Sequence, residues 1–415
     1  MIKSRKIAKI IEKWIDEKEI IILTGVRQVG KTSLLQLIEE KIKEKNVGEK
    51  NIFYLSLEDI NILNTLNENP ENVFQYVLDK NKKNYFLIDE IQYLDNPSNF
   101  LKLLYDKYAD KIKLIITGSS SLELKANFQD SLAGRKVIFE INPLDFEEFL
   151  QFKNFNYIDY LSKKDLPENI KKEFDDMLEE YLLYGGMPAV VLQNDKEKKI
   201  KLLEEYIGAY INKDIRSIGK IENIAYFNNF IKIISSQIGG LLNINELSNT
   251  LNIDRRILEK YLELLEYTFV LYRSSPFLSN IRSQITKMQK IYLFDSGVRN
   301  AILGNFITLD NRSDAGALFE NFVYMELKKN ISNKIFFYRT ASGSEIDFII
   351  EKKGCVYPIE VKFKQLRKKI DERVVKNFII KSKKECFANV VNLSLNDDNS
   401  KLIKYIDYRF IKNIV

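Results

Sequence analysis

Thr24-Gly25-Val26-Arg27-Gln28-Val29-Gly30-Lys31-Thr32 follows an apolar run, Ile20–Leu23, and leads into a helical pattern that opens near Lys31. The spacing is G-x-x-x-x-G-K-T, set between a strand and a helix. Glycines let such a loop curl until its backbone N–H groups point at a phosphate chain. The helix N-terminus adds partial positive charge at the same place. Lys31 is expected at the β- and γ-phosphates and the Thr32 hydroxyl on Mg²⁺. Gly25, Val26, Arg27, Gln28, Val29, Gly30 and Ser33 complete the expected contacts. The cofactors implied are ATP and Mg²⁺.

An acidic partner lies 58 residues beyond Lys31, where the strand-like Tyr85-Phe86-Leu87-Ile88 ends in Asp89-Glu90. Asp89 is placed to hold Mg²⁺, directly or through water, and Glu90 to polarise the water that attacks the γ-phosphate. A strand that simply ends in solvated acids is the alternative. Leu114–Thr117 runs into Gly118-Ser119-Ser120-Ser121, where Ser119 could sense the γ-phosphate. With Ile52–Leu57 and Val137–Ile141, these segments give five short buried strands separated by helical stretches. That alternation predicts an α/β fold, a parallel sheet with helices on both faces.

Composition narrows the chemistry. The 415 residues contain no histidine and two cysteines, Cys355 and Cys386. Histidine-ligated metals, histidine general bases and a disulfide framework are therefore excluded. A reducing, cytoplasmic setting is expected. The run Ile20–Leu23 is too short for a signal peptide or a membrane span, so no membrane partner is expected. The net charge is +6, yet Lys362–Lys384 alone carries ten Lys/Arg against two Asp/Glu. The stretch reads either as a solvated helix face or as a phosphate-binding patch for DNA or RNA.

Further along, Asn245–Leu265 has helix-turn-helix form. Asp254 is placed to cap the second helix, and Ile257, Leu258, Tyr261, Leu262 and Leu265 to form its buried stripe. Arg255, Arg256 and Lys260 are opposed by Asp254, Glu259, Glu263 and Glu266, a poor balance for a phosphate-facing helix. Arg273, Arg282, Lys287 and Lys290 could form a basic wing after it. A second constellation comprises Glu320 on a helix, Asp347 in Glu345–Ile350, and Glu360 and Lys362 on the strand that returns after Gly354. Residues two apart on a strand share a face, so Glu360 and Lys362 point together. Two or three carboxylates with a lysine can bind Mg²⁺ and steady a phosphodiester; a half-exposed amphipathic hairpin is the alternative.

These motifs, with Leu132-Ala-Gly-Arg135 and Tyr184-Gly-Gly-Met-Pro188, resemble the AAA-type P-loop ATPases. More narrowly, they resemble a bacterial and archaeal group whose ATPase core precedes a winged helix and a C-terminal domain of unknown function similar to restriction-endonuclease folds. The spacing Glu320…Asp347…Glu360-x-Lys362 resembles the E…D…E-x-K signature of those folds. The resemblance implies an ATPase core over residues 1–150, a helical lid over 151–225, a winged helix over 226–305 and a nuclease-like α/β domain over 306–415. It also makes Arg135 the candidate arginine at the γ-phosphate, in cis or from a neighbouring subunit of a homo-oligomer; a surface arginine is the alternative. Two functions are carried forward. One is an ATPase whose nucleotide state controls a nucleic-acid-acting, nuclease-like C-terminal domain. The other is a nucleotide-dependent switch that binds protein partners through an inert C-terminal scaffold.

Overall fold

The computed structural model describes residues 3–45, 49–77, 82–119, 132–215, 219–278, 284, 287–340, 342–363, 373–382, 384–393 and 403–414. The chain divides into two compact units, Met1–Asn142 with Tyr267–Phe269, and Pro143–Glu266 with Val270–Val415.

In the first unit, β1 (Ile20–Gly25), β2 (Ile52–Ser56), β3 (Asn84–Asp89), β4 (Ile112–Ser119) and β5 (Lys136–Glu140) form one sheet in the order β2-β3-β4-β1-β5. Every pairing is parallel. All residues of β1 and β3 are buried, as unbroken apolar runs covered on both faces require. Ser56 pairs with Asp89 and Thr24 with Gly118, which brings the C-terminal ends of four strands to one level. The segment before β1 is tied down by a buried cation: the Lys113 ammonium on β4 donates to the carbonyls of Trp14, Glu17 and Glu19 at 2.6–2.9 Å. With little water around it, burial lowers its pKa to about 8.

The second unit begins with helices. Glu168–Tyr184 stops at Gly185-Gly186-Met187-Pro188, and the next helix starts on Pro188. The turn interlocks with Asp295, which follows β7 (Lys290–Leu293), and with the helix Ser296–Leu303 after it. The Asp295 carboxylate caps that helix through Val298 N–H at 2.9 Å and accepts Gly186 N–H at 2.7 Å. Gly185 has φ +77°, and a Cβ there would lie 2.0 Å from Asp295 Oδ1. A Cβ on Gly297 would meet the Tyr184 carbonyl oxygen at the same distance.

Asn243 and Asp254 begin the helices Ile244–Leu251 and Arg255–Tyr267, with Asp254 accepting the Arg256 N–H at 2.8 Å. The buried stripe of the second helix uses Leu264 where Ile257 was expected; Ile257 is 41% exposed. β6 (Leu271–Ser274) pairs antiparallel with β7. The helix Ala315–Asn330 leads to a sheet of order β12-β11-β10-β9-β8, made of β8 (Ile335–Arg339), β9 (Glu345–Lys352), β10 (Cys355–Lys362), β11 (Ala388–Asn392) and β12 (Ile403–Asp407). β8, β9 and β10 are antiparallel, while β10, β11 and β12 are parallel, with the helix Arg373–Ser382 as the crossover. The sequence reading lacked β11 and β12. Each is a five-residue, almost wholly buried strand, too short for a pattern to separate from a helix fragment. Among the described residues, no helix is long and apolar enough to cross a membrane.

Two substitutions test the interlock. Gly185→Ala combines a left-handed backbone with a steric clash and should cost more than about 3 kcal/mol in chemical denaturation. Gly304→Ala keeps a positive φ with nothing within 4 Å of the new methyl, and should cost about 1 kcal/mol.

Candidate functional site

The turn after β1 needs glycine at its start. A Cβ on Gly25, whose φ is +148°, would lie 2.2 Å from the Ile141 carbonyl oxygen, where no rearrangement short of moving β5 could make room. Gly30 closes the loop in a left-handed conformation and opens the helix Lys31–Glu44. Arg5, which sequence reading passed over, braces the loop from behind by donating to the Val29 carbonyl at 3.0 Å and the Asn142 carbonyl at 2.9 Å. Lys31 is 5% exposed, and its ammonium turns back onto the carbonyls of Gly25 and Val26 at 3.1 and 3.0 Å. Burial lowers its pKa to about 8, against the raising pull of Glu90 and Asp89.

Asp89 is the hub. The Thr32 hydroxyl donates to its Oδ2 at 2.9 Å and the Tyr54 hydroxyl to the same oxygen at 2.8 Å, while Thr117 donates to Oδ1. One carboxylate thus joins β2, β3, β4 and the first turn of the phosphate-loop helix. Burial, then the bond to Asp89, raises the Tyr54 pKa and keeps its hydroxyl protonated. The Thr117 hydroxyl also accepts Glu90 N–H at 2.9 Å, and Glu90 sits at φ 59°, ψ 53°, a left-handed conformation costly for a non-glycine residue. Its carboxylate accepts the Gln92 side-chain amide. Tyr54 carried no signal of its own in the sequence, because its role depends on a strand neighbour 35 residues along the chain; Gln92 closes the motif Leu87–Gln92 and acts on Glu90 two residues before it.

The structure brings Lys31, Thr32, Asp89 and Glu90 together but not Arg135. β5 starts at Lys136 and runs parallel to β1, and the Arg135 carbonyl accepts the N–H of Ile20, the first residue of β1. Arg135 is therefore at the opposite end of the sheet from the loop, roughly 17 Å away at the usual rise per strand residue. There it pairs with Asp106 at 2.6 Å. The expectation of a cis contact to the γ-phosphate is corrected. β4 extends to Ser119, whose side chain, like Ser120 and Ser121, lies outside the described residues.

The C-terminal constellation also assembles, with an addition. The Asp347 carboxylate accepts Val361 N–H at 2.8 Å, and Lys362 pairs with Glu360 at 2.5 Å. Between them stands Lys290, expected as an exposed wing residue and in fact 2% exposed. Its ammonium lies 2.9 Å from Glu320 and 3.7 Å from Asp347 and also pairs with Glu345, while the Tyr292 hydroxyl donates to Glu320 at 2.8 Å. Arg273, the described arginine of that wing, is tied to Glu266. Burial and the Asp347 charge raise the pKa values of Glu320 and Glu360 to about 7, and burial raises that of Asp347. Burial opposes the charge on Lys290, but Glu320, Asp347 and Glu345 together raise its pKa. Among the described residues, no three acidic or cysteine side chains are arranged to hold a metal ion. The divalent-ion site implied by the nuclease resemblance does not fit this arrangement. Lys364, Arg367, Lys368 and Lys369 of the basic stretch lie outside the described residues.

Comparison with known proteins agrees with the first unit. Residues 17–150 match the family described as "AAA domain", 175–308 a domain of unknown function (DUF8612), and 315–409 another (DUF4143). An uncharacterized protein of Methanocaldococcus jannaschii is 29% identical over 98% of this chain and 88% of its own length. An uncharacterized protein of Haemophilus influenzae is 26% identical over 84% and 83%. Among solved structures, a Walker-type ATPase of Pyrococcus abyssi is 15% identical, covering 73% of this chain and 96% of its own, with a TM-score of 0.48. The chain therefore carries an AAA-type P-loop domain followed by a C-terminal domain of unknown function.

The lowered pKa of Lys31 has a measurable consequence. A phosphate chain is held by the ammonium form, and in the free protein that form is lost as pH rises through about 8. Nucleotide affinity should then fall with pH, approaching tenfold per unit well above that value. Binding titrations between pH 7 and pH 10 check this; a flat profile contradicts it.

Proposed function

We propose that the AAA-type domain binds ATP with Mg²⁺ and hydrolyses it, and that its nucleotide state sets what the second unit can do. The observation that supports this most is the 2.9 Å contact between Thr32 and Asp89, the two groups a phosphate-bound Mg²⁺ would need, directly beside Lys31. Backbone N–H groups of the loop from Gly25 to Ser33 cradle the phosphates, and Lys31 leaves its carbonyls for the β- and γ-oxygens. Bound Mg²⁺ would offset the negative charge on the phosphate oxygens. Glu90, its backbone fixed by Thr117, orients the attacking water and takes its proton.

For the second unit, Lys290 among the carboxylates favours the switch reading over the nuclease reading. The helix-turn-helix and its hairpin, read as a winged helix, then serve protein contact more than DNA contact. ATP turnover with and without DNA and RNA separates the readings. Stimulation by nucleic acid would return the nuclease-like reading; indifference supports the switch.

At the nucleotide site, Lys31→Ala should lose binding and hydrolysis together. Glu90→Gln should retain ATP and slow hydrolysis by about 10²–10⁴-fold, as loss of a general base does. Hydrolysis at the wild-type rate by Glu90→Gln would show that another group handles the water.

A further inference from the structure

Lys290 is the first residue of β7, and its backbone is gripped from both sides. Ser274 of β6 faces it on one edge. On the other edge Gln289 accepts Leu242 N–H at 2.8 Å, while Ile291 accepts Gly239 N–H at 2.8 Å and donates to Gly240 at 3.3 Å. This grip fixes the direction in which the side chain leaves the strand. Its stem passes Phe337, with the ammonium 5.9 Å from the ring centroid, and the charge ends among oxygens from two different elements. Glu320 comes from the helix Ala315–Asn330; Glu345 and Asp347 come from one face of β9. Tyr292, two residues on along the same face of β7, donates to the same Glu320 oxygen.

A hard divalent ion takes carboxylate oxygens at 2.0–2.6 Å, within the same oxygen cage the ammonium now fills. Both cannot be present at once, because a divalent ion among these oxygens would stand within a few ångströms of a positive charge shielded by little water. Nor can the carboxylates stand alone: Glu320, Asp347 and Glu360 are buried close enough to repel one another, and among the described residues removing the ammonium leaves Lys362 as the cation nearby to offset them.

We infer that Lys290 is the resident cation of the C-terminal carboxylate cluster, and that it and a divalent metal ion exclude each other. The lysine does the electrostatic work of a metal ion, tying the β6–β7 hairpin to the C-terminal sheet. While the hairpin holds its place, that domain takes no metal. This goes beyond the nucleotide reading and does not depend on it, since every residue involved belongs to the second unit.

The test is Mn²⁺ binding by the full chain without nucleotide, followed by the electron paramagnetic resonance of free Mn²⁺ and by thermal melting. The proteins are the wild type, Lys290→Met, and Lys290→Met with Asp347→Asn. Methionine keeps the length of the stem and removes the charge. Millimolar Mn²⁺ should leave the wild-type melting temperature in place and raise that of Lys290→Met by several degrees, a gain lost when Asp347→Asn is added. If Lys290→Met is unfolded in metal-free buffer, Mn²⁺ should refold it. The inference is overturned if the wild type binds Mn²⁺ through Asp347, if folded Lys290→Met binds none, or if unfolded Lys290→Met fails to respond to Mn²⁺.

Discussion

A single buried carboxylate with three hydroxyl donors is the constraint on which the nucleotide domain turns. Asp89 ends β3, and its acceptors are filled from β2 by Tyr54, from β4 by Thr117 and from the phosphate-loop helix by Thr32. Without those donors its burial would be strongly unfavourable. With them, the ends of β2, β3 and β4 are tied to the first turn of the phosphate-loop helix. The same Thr117 hydroxyl fixes the backbone of Glu90, so the positions of the two acids cannot vary independently. In the proposed function, phosphate recognition, metal affinity and water activation would all be set by this one hydrogen-bond network.

The second unit buries its acids by other means. Asp295 relies on backbone N–H groups of Gly186 and Val298, which lower its pKa but do not overcome the effect of burial. Glu320 and Asp347 rely on a lysine. Arg299, 1% exposed, pairs with Asp314, which is held down to about 2 by Arg312 and Arg299 in spite of its burial. Hydroxyl donors leave a carboxylate its full charge and free coordination sites once they rotate away, which suits a group that must meet a metal ion. An ammonium neutralises the charge and fills the space, which suits a joint. The two acidic sites of this chain differ in that respect more than in their carboxylates.

How far the sequence could be read follows from the range of each interaction. The phosphate loop and the Asp89-Glu90 strand end are local patterns, and all five strands of the first sheet fall within two residues of their expected limits at either end. Asp347, Glu360 and Lys362 were legible as alternation on a hairpin and Glu320 as a position on the preceding helix, and the structure brings these residues together. Lys290 was seen and misplaced, because one lysine beside Lys287 and Arg282 looks like a wing until the chain is folded. The cis placement of Arg135 failed for a similar reason: its motif says that an arginine follows a turn, not which end of the sheet that turn occupies. Arg5 and Tyr54 could not be found at all, since each acts on groups tens of residues away.

The central claim is that Asp89 belongs to a metal-dependent nucleotide site and is more than a structural hub. Nucleotide affinity of Asp89→Asn, measured in EDTA and again in Mg²⁺, tests it most directly. Asparagine keeps the size of the side chain and one carbonyl acceptor for the surrounding hydroxyls, at a stability cost of about 1–3 kcal/mol. The account predicts ATP affinity within a few-fold of wild type in EDTA, and loss of the strengthening that Mg²⁺ gives the wild type. An undiminished Mg²⁺ effect in a folded Asp89→Asn protein would contradict it.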